Sequence, residues 1–358
     1  LGSEEALRAI QVIADRVKFK ALKEEAGRQI ERIAADLGLS REQLADRLVP
    51  DFGLGEDAAL VLDYGTRKFT VAFDEALKPF VTDEDGKPRK VLPKPGAKDD
   101  PDLATAAYQR FTALKKELRA VATDQIARLE AAMTATRSWS LEEFRRFFVD
   151  HALTRHLARR LVWTAETGGV FTGFRIAEDG SFSDAEDETI ELPADAAIRV
   201  AHPVHLGDQV AAWAEILADY EILQPFDQLD RPVLAFTDEE LETGRLTRFE
   251  GAKVEVGRLL GMTKRGWWRA SPEDGGVEPG LAYKLPNGGF VTIELDHGIY
   301  VGAIGETPEQ TLRGVHLTDT EQYWWSDEQY AKRKHPTNID AVTAAEVLGS
   351  LARLTGRS

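Results

Sequence analysis

The stretch "AALVLDYGTRKFTVAFDEALKPFVTDEDGKPRKVLP", residues 58–93, decides the fold class. Runs rich in Val, Leu, Phe and Thr are broken at Tyr64-Gly65 and Asp85-Gly86. Asp-Gly between strand-like runs is the chemistry of a tight hairpin. Three strands at about 59–92 are therefore expected to pair with their sequence neighbours as a meander. The pattern recurs in "VFTGFRIAEDGSFSD" (170–184), turning at Glu178-Asp179-Gly180, and in "AYKLPNGGFVTIELDHGIYVGAIG" (282–305), turning at Asn287-Gly288. Strands that come in hairpins, without the glycine-rich phosphate loops of a doubly wound sheet, predict an α+β fold.

Helical spacing fills the remainder. Residues 4–37 carry Leu7, Ile10, Ile30 and Ile33 on one stripe and stop at Gly38. Ser40 with Gln43 forms a capping box, and Ser140 with Glu143 opens a later helix. A long helix is expected over 103–136, a shorter one at about 207–220, and a closing one at about 338–354 that starts at Asn338 or Asp340. The chain thus reads as a mainly helical part, 1–160, containing the meander, and a β-hairpin-rich part, 161–358, with packed helices. The two are expected to form one continuous structural unit. The opening residues read as a helix already under way, which suggests a piece of a longer protein.

Composition narrows the function classes. The 358 residues are 43% hydrophobic, enough for a real core, and carry no cysteine. Thiolate catalysis and cysteine-ligated zinc are excluded, and the composition fits a cytoplasmic protein. No apolar run is long enough to span a membrane. A net charge of −16 opposes nucleic acid and anionic lipid unless a local basic patch dominates.

The most unusual segment is "EILQPFDQLDRPV", 221–233, where an apolar-faced helix is expected to end at Gln224-Pro225. Phe226 and Leu229 can then plug a core. Gln224, Asp227, Gln228 and Arg231 form a polar seam, in which Arg231 is expected to pair with a carboxylate between the helical and β-rich parts. A catalytic alternative places His202, Asp227 and Arg231, with His205, in a cleft between those parts. "AHPVHLGD" (201–208) spaces His202 and His205 three apart, but zinc takes three or four protein ligands and no third follows. No metal and no cofactor are expected.

Two further segments qualify as binding surfaces. "RRFFVDHALTRHLARR" (145–160) is the one dense basic run, with Arg155 and Arg159 sharing a helical face. It would meet nucleic acid if exposed, although pairing with the chain's own acids is the simpler reading. Trp267-Trp268 and Trp324-Trp325 suit a protein partner, with one ring of each pair in the core and one outside. The acidic turns match no calcium loop, and no hydrolase elbow, P-loop or metalloprotease motif is present.

Several segments together resemble the MolR-like family, named for a regulator of molybdate metabolism: "LADRLVPDFGLGED" (44–57), "LDYGTRKFTVAFDEALKPFVTDEDGKPRKVLPKPG" (62–96), "ATDQIARLEAAMTATRSWS" (122–140), "LVWTAE" (161–166) and "QPFDQLDRPV" (224–233). The resemblance implies a domain of unknown function near the C-terminal end of larger bacterial proteins, some with a WGR domain upstream. It implies no catalytic residues. The resulting expectation is a non-enzymatic regulatory or interaction domain whose partner is another protein or another part of the full-length chain.

Overall fold

A computed structural model of the chain describes residues 7, 10, 19–54, 59–74, 77–273, 275–323 and 334–357. It is an α+β structure that divides into two compact units. The first takes in 1–130, 138–200 and 215–226, and the second 131–137, 201–214 and 227–358. The division does not fall at residue 160, because the second sheet of the first unit is built from strands beyond it. None of the described helices is long and apolar enough to cross a membrane.

In the first unit, helices Lys20–Asp36 and Arg41–Arg47 join at the Ser40 capping box. They close over Ile30, Ala34, Leu44 and Leu48. The meander follows as β1 (Leu60–Asp63), β2 (Lys68–Phe73), β3 (Pro79–Asp83) and a short added β4 (Pro88–Arg89). All pair antiparallel in sequence order. Helix Pro101–Thr134 contributes Ala104, Ala107, Phe111 and Leu114 to the core made with Leu62, Tyr64, Phe69, Val71 and Val81. That spacing of three and four is what puts these side chains on one stripe.

The second sheet has the order β5-β10-β6-β7-β8-β9. Its strands are β5 (Trp139–Ser140), β6 (Trp163–Thr167), β7 (Val170–Ile176), β8 (Phe182–Ser183), β9 (Thr189–Ile190) and β10 (Ala197–Val200). Its core is aromatic: Phe144 meets Trp163 edge-on at 4.7 Å, and Phe174 meets Phe182 at 5.1 Å. The basic run 145–160 is not one helix. Leu141–Phe144 leads into a π turn, Arg145–Val149, and a separate helix, Thr154–Ala158, follows. The wide turn buries Phe147, Phe148 and Val149 together. It lays Arg145 over the Phe182 ring at 4.7 Å and Arg146 over the Phe147 ring at 5.4 Å.

The second unit carries a sheet ordered β11-β15-β14-β13-β12. Its strands are β11 (Lys253–Glu255), β12 (Trp267–Arg269), β13 (Val277–Lys284), β14 (Phe290–Tyr300) and β15 (Glu309–Thr318). Helices Val256–Met262 and Ala341–Thr355 cover one face, with Leu259, Val347, Leu348 and Leu351 against Leu281, Ile293, Leu295 and Val315. Asp340 caps the closing helix, accepting from the Thr343 N–H at 2.9 Å.

The helix expected to stop at Pro225 stops sooner, at Asp219. Glu221 adopts a left-handed φ of 53°. The Ile222 N–H then reaches the Leu217 carbonyl at 2.8 Å and the Glu221 N–H reaches the Ala218 carbonyl at 3.0 Å. This is a Schellman ending made without glycine.

Close backbone contact fixes one glycine. A Cβ on Gly280 would lie 1.9 Å from the Ile293 carbonyl oxygen, beside the register shift between β13 and β14. Gly280→Ala is expected to lower unfolding free energy by about 3 kcal/mol, the upper part of the usual overpacking range, read by urea titration.

Candidate functional site

Within the first unit, the short helix Thr154–Ala158, the ends of β2, β7 and β8, and the segment Tyr220–Leu223 surround a cleft of about 710 Å³. That is the size of an ordinary small-molecule site. His156, Arg159 and Arg160 reach it from one side because helical spacing stacks positions three and four apart. Arg160 donates from Nε to the Leu223 carbonyl, which ties the opposite rim.

Arg175 is the structural key to the cleft. It lies on β7 amid buried neighbours, with its side chain 8% exposed. Its Nη2 donates to Asp187 at 2.6 Å, and its guanidinium lies over the Tyr220 ring at 4.2 Å. The Tyr220 hydroxyl donates to the other Asp187 oxygen at 2.6 Å. The hydrogen bonds from Tyr220 and Arg175 hold the Asp187 carboxyl below its usual range, and the same bond to Asp187 pushes the Tyr220 phenol up. Two of the non-glycine residues with left-handed backbone, Asp187 (φ 62°) and Glu221 (φ 53°), border this cleft. Strained backbone of this kind costs about 1–2 kcal/mol per residue and clusters at functional sites.

The cleft also holds polar atoms that nothing satisfies. Among the described residues Arg159 makes no side-chain hydrogen bond or ion pair, and its Nε is buried without a partner, as are His156 Nε2 and Arg175 Nε. Burial, followed by the nearby Arg155 charge, depresses the Arg159 guanidinium; Glu178 and Asp179 offset this only in part. Burial and the charges of Arg155 and Arg159 push the His156 imidazole down to about 4, so it is neutral at pH 7. Buried polar atoms without partners are uncommon in native structures, and three of those found among the described residues belong to side chains that line this cleft. The arrangement supplies guanidinium N–H donors beside a neutral imidazole, with Asp74, Glu178, Asp179, Asp187 and Glu221 also in the lining.

The sequence-derived candidates in the second unit are placed differently. His202 is wholly buried; its Nδ1 accepts from the Val204 N–H, so Nε2 carries the proton and donates to Glu346 at 3.3 Å. Arg231 donates to the other Glu346 oxygen at 2.6 Å and, from Nε, to the Asp227 carbonyl at 2.8 Å. Gln228 is buried and donates to the Ala201 carbonyl at 2.8 Å. Asp227 contributes its backbone while its side chain is exposed. Burial would raise the Glu346 pKa, but the hydrogen bonds from His202 and Arg231 outweigh it and hold it low. The expected seam between a helical and a β-rich part is therefore a joint inside the second unit, made by the closing helix. Gln224 belongs to the first unit.

His205 sits with its ring 6.5 Å from that of His202. Among the described residues no group of three or more His, Asp and Glu side chains is placed to hold a metal ion. Trp267 is core, packed on Tyr283, and Trp268 is half-buried, donating to Glu321 at 3.1 Å. Trp324 and Trp325 lie outside the described residues. Sequence reasoning passed over Arg175, Asp187, Tyr220 and Glu221. An arginine amid the apolar run "FRI" was the available signal for the first; the others became visible only once the loops closed.

Fold and site together define an α+β domain with an arginine-bearing polar cleft in its first unit. This chain belongs to the family described as a domain of unknown function, DUF4132, whose model matches residues 86–267. It is 39% identical over 290 residues to the uncharacterized protein YehI of Escherichia coli (strain K12), across 80% of this chain and 24% of that protein. The chain thus spans about a quarter of the length of the curated relative it matches. No solved structure matches it.

Two outcomes follow from these ionisations. Arg231→Ala leaves Glu346 and His202 without their cation and is expected to cost about 2–4 kcal/mol, slightly below the figure for a wholly buried pair, by chemical denaturation. Because the folded Glu346 pKa is depressed, its contribution is present above the unfolded value near 4.5 and fades as pH falls through the folded one. His156 is also depressed, so its contribution holds above about pH 6.5 and is lost between there and about 4. An NMR titration should find one imidazole still neutral at pH 5.

Proposed function

We propose that this domain is a non-enzymatic, regulatory ligand-binding module of a larger protein, which binds a small anionic molecule in the Arg159–Arg175 cleft. The observation that carries this reading is the Arg159 guanidinium, partly desolvated and, among the described residues, without a hydrogen-bonded carboxylate although Glu178 and Asp179 lie near, in a chain that has 61 acidic residues to 45 basic ones. In so acidic a chain an intramolecular partner would be easy to supply. Leaving the cation open costs stability, and a ligand that restores the missing charge would recover it. The MolR-like resemblance belongs to the same proposal, since a regulator that reads a small oxyanion needs such a cleft. A partner surface built on the tryptophan pair 267–268 has less support, because one ring is core and the other is engaged.

The test is thermal unfolding of the chain with phosphate, sulfate, molybdate, citrate and nucleoside monophosphates. A ligand at about one hundred times its Kd should add about 2.7 kcal/mol. Arg159→Gln should leave the ligand-free protein as stable or more stable and abolish the shift. If no anion shifts the transition, or if Arg159→Gln responds like the parent, the reading fails.

A further inference from the structure

A second cleft, of about 320 Å³, lies wholly in the second unit, where the end of helix Val256–Met262 meets the last turns of the closing helix. Its lining is Arg258, Lys264, Arg265 and Arg353 over a floor of Gly261, Met262 and Leu354, with Ser350 at the side. No carboxylate lines it, and none of the four cations makes an ion pair among the described residues. Arg258 donates to the Arg353 backbone carbonyl, and the Ser350 hydroxyl is used by the Glu346 carbonyl at 2.9 Å, so neither is swinging freely. Burial, and after it the neighbouring Arg265 charge, depresses the Arg353 guanidinium.

The simplest explanation is that cations gather at helix C-termini. Two such ends meet here, each worth about half a negative charge. Against four cations these ends, with Glu346 and Asp227 acting on Arg353 from outside the lining, still leave the cleft positive. The protein's other exposed guanidinium groups commonly find acids, as Arg89 does with Asp83 and Arg245 with Glu250. The four cations are solvent-exposed, so water and salt screen their repulsion, but together around an apolar floor they form a concave site that suits a multiply negative ligand. The cleft is too small for a nucleobase and sugar as well as their phosphates, but a chain of two or three phosphates fits its size and charge.

We infer that this second-unit cleft, lined by Arg258, Lys264, Arg265 and Arg353, binds the polyphosphate chain of a small molecule, either an inorganic polyphosphate or the phosphates of a nucleotide. Calorimetry on the whole chain at low salt, with sodium triphosphate and separately with ATP, tests it. Triphosphate should bind saturably. Arg265→Glu and Arg353→Glu should each weaken it about tenfold while the thermal transition stays in place, and Arg159→Gln should leave it unchanged. Equal affinity for ATP assigns recognition to the phosphates alone; tighter ATP assigns the site to a nucleotide. Absent saturation, or equal binding by the double variant Arg265→Glu/Arg353→Glu, overturns the proposal. So does tighter binding of a single-stranded oligonucleotide than of triphosphate, which would make the patch a nucleic-acid contact. Loss of triphosphate binding in Arg159→Gln alone would place the ligand in the first-unit cleft and overturn this one.

Discussion

A guanidinium taken out of water needs a counter-charge, and the placement of counter-charges organises this protein. Arg128 finds Asp46 at 2.8 Å, and the same carboxylate also accepts from the Trp139 indole. Arg175 finds Asp187, and Arg231 finds Glu346. Each of these pairs joins segments distant in sequence within its own unit and fixes the backbone on either side. Against that background, arginines without acids stand out, because the chain has acids in excess. Both clefts described above are recognised by that contrast rather than by any sequence motif.

The fold class was legible in the sequence because local chemistry set it. Asp85-Gly86, Glu178-Asp179-Gly180 and Asn287-Gly288 each mark a turn that the structure contains, with antiparallel strands on both sides. Ser40, Ser140 and Asp340 cap helices where their side chains can reach the backbone three residues on. What failed was inference from a single strong residue. Pro225 forbids a helix, but it did not end this one; a left-handed Glu221 and two backbone hydrogen bonds did so first. Likewise the run 145–160 has the composition of a basic helix, yet burying three adjacent apolar side chains required a wider turn.

The site was less legible for a physical reason. A cleft is defined by groups from separate segments, and its evidence is partly negative: a donor with nothing to donate to. His156 and Arg159 appear in the sequence as members of a charge run, indistinguishable from Arg145 and Arg146, which rest on aromatic rings. Asp187 sits in an acidic turn that reads as solvated charge, and only the fold brings Tyr220 and Arg175 to it. The joint at Arg231 was closer to the surface of the sequence, since Pro, Gln and Arg in succession invite backbone ties. Its partner, Glu346, lies 115 residues away in a helix with no distinguishing mark.

The chain alternates between its two units five times, entering the second at residues 131, 201 and 227 and returning to the first at 138 and 215. During synthesis the ribosome releases residues in order, so the first unit lacks its last segment until residue 226 has emerged. The turn at 131–137 waits for the rest of the second unit, whose other segments begin at 201 and 227. Neither half can be excised as an uninterrupted piece, and a truncation before 215 would strip the first unit of the whole stretch that carries Tyr220.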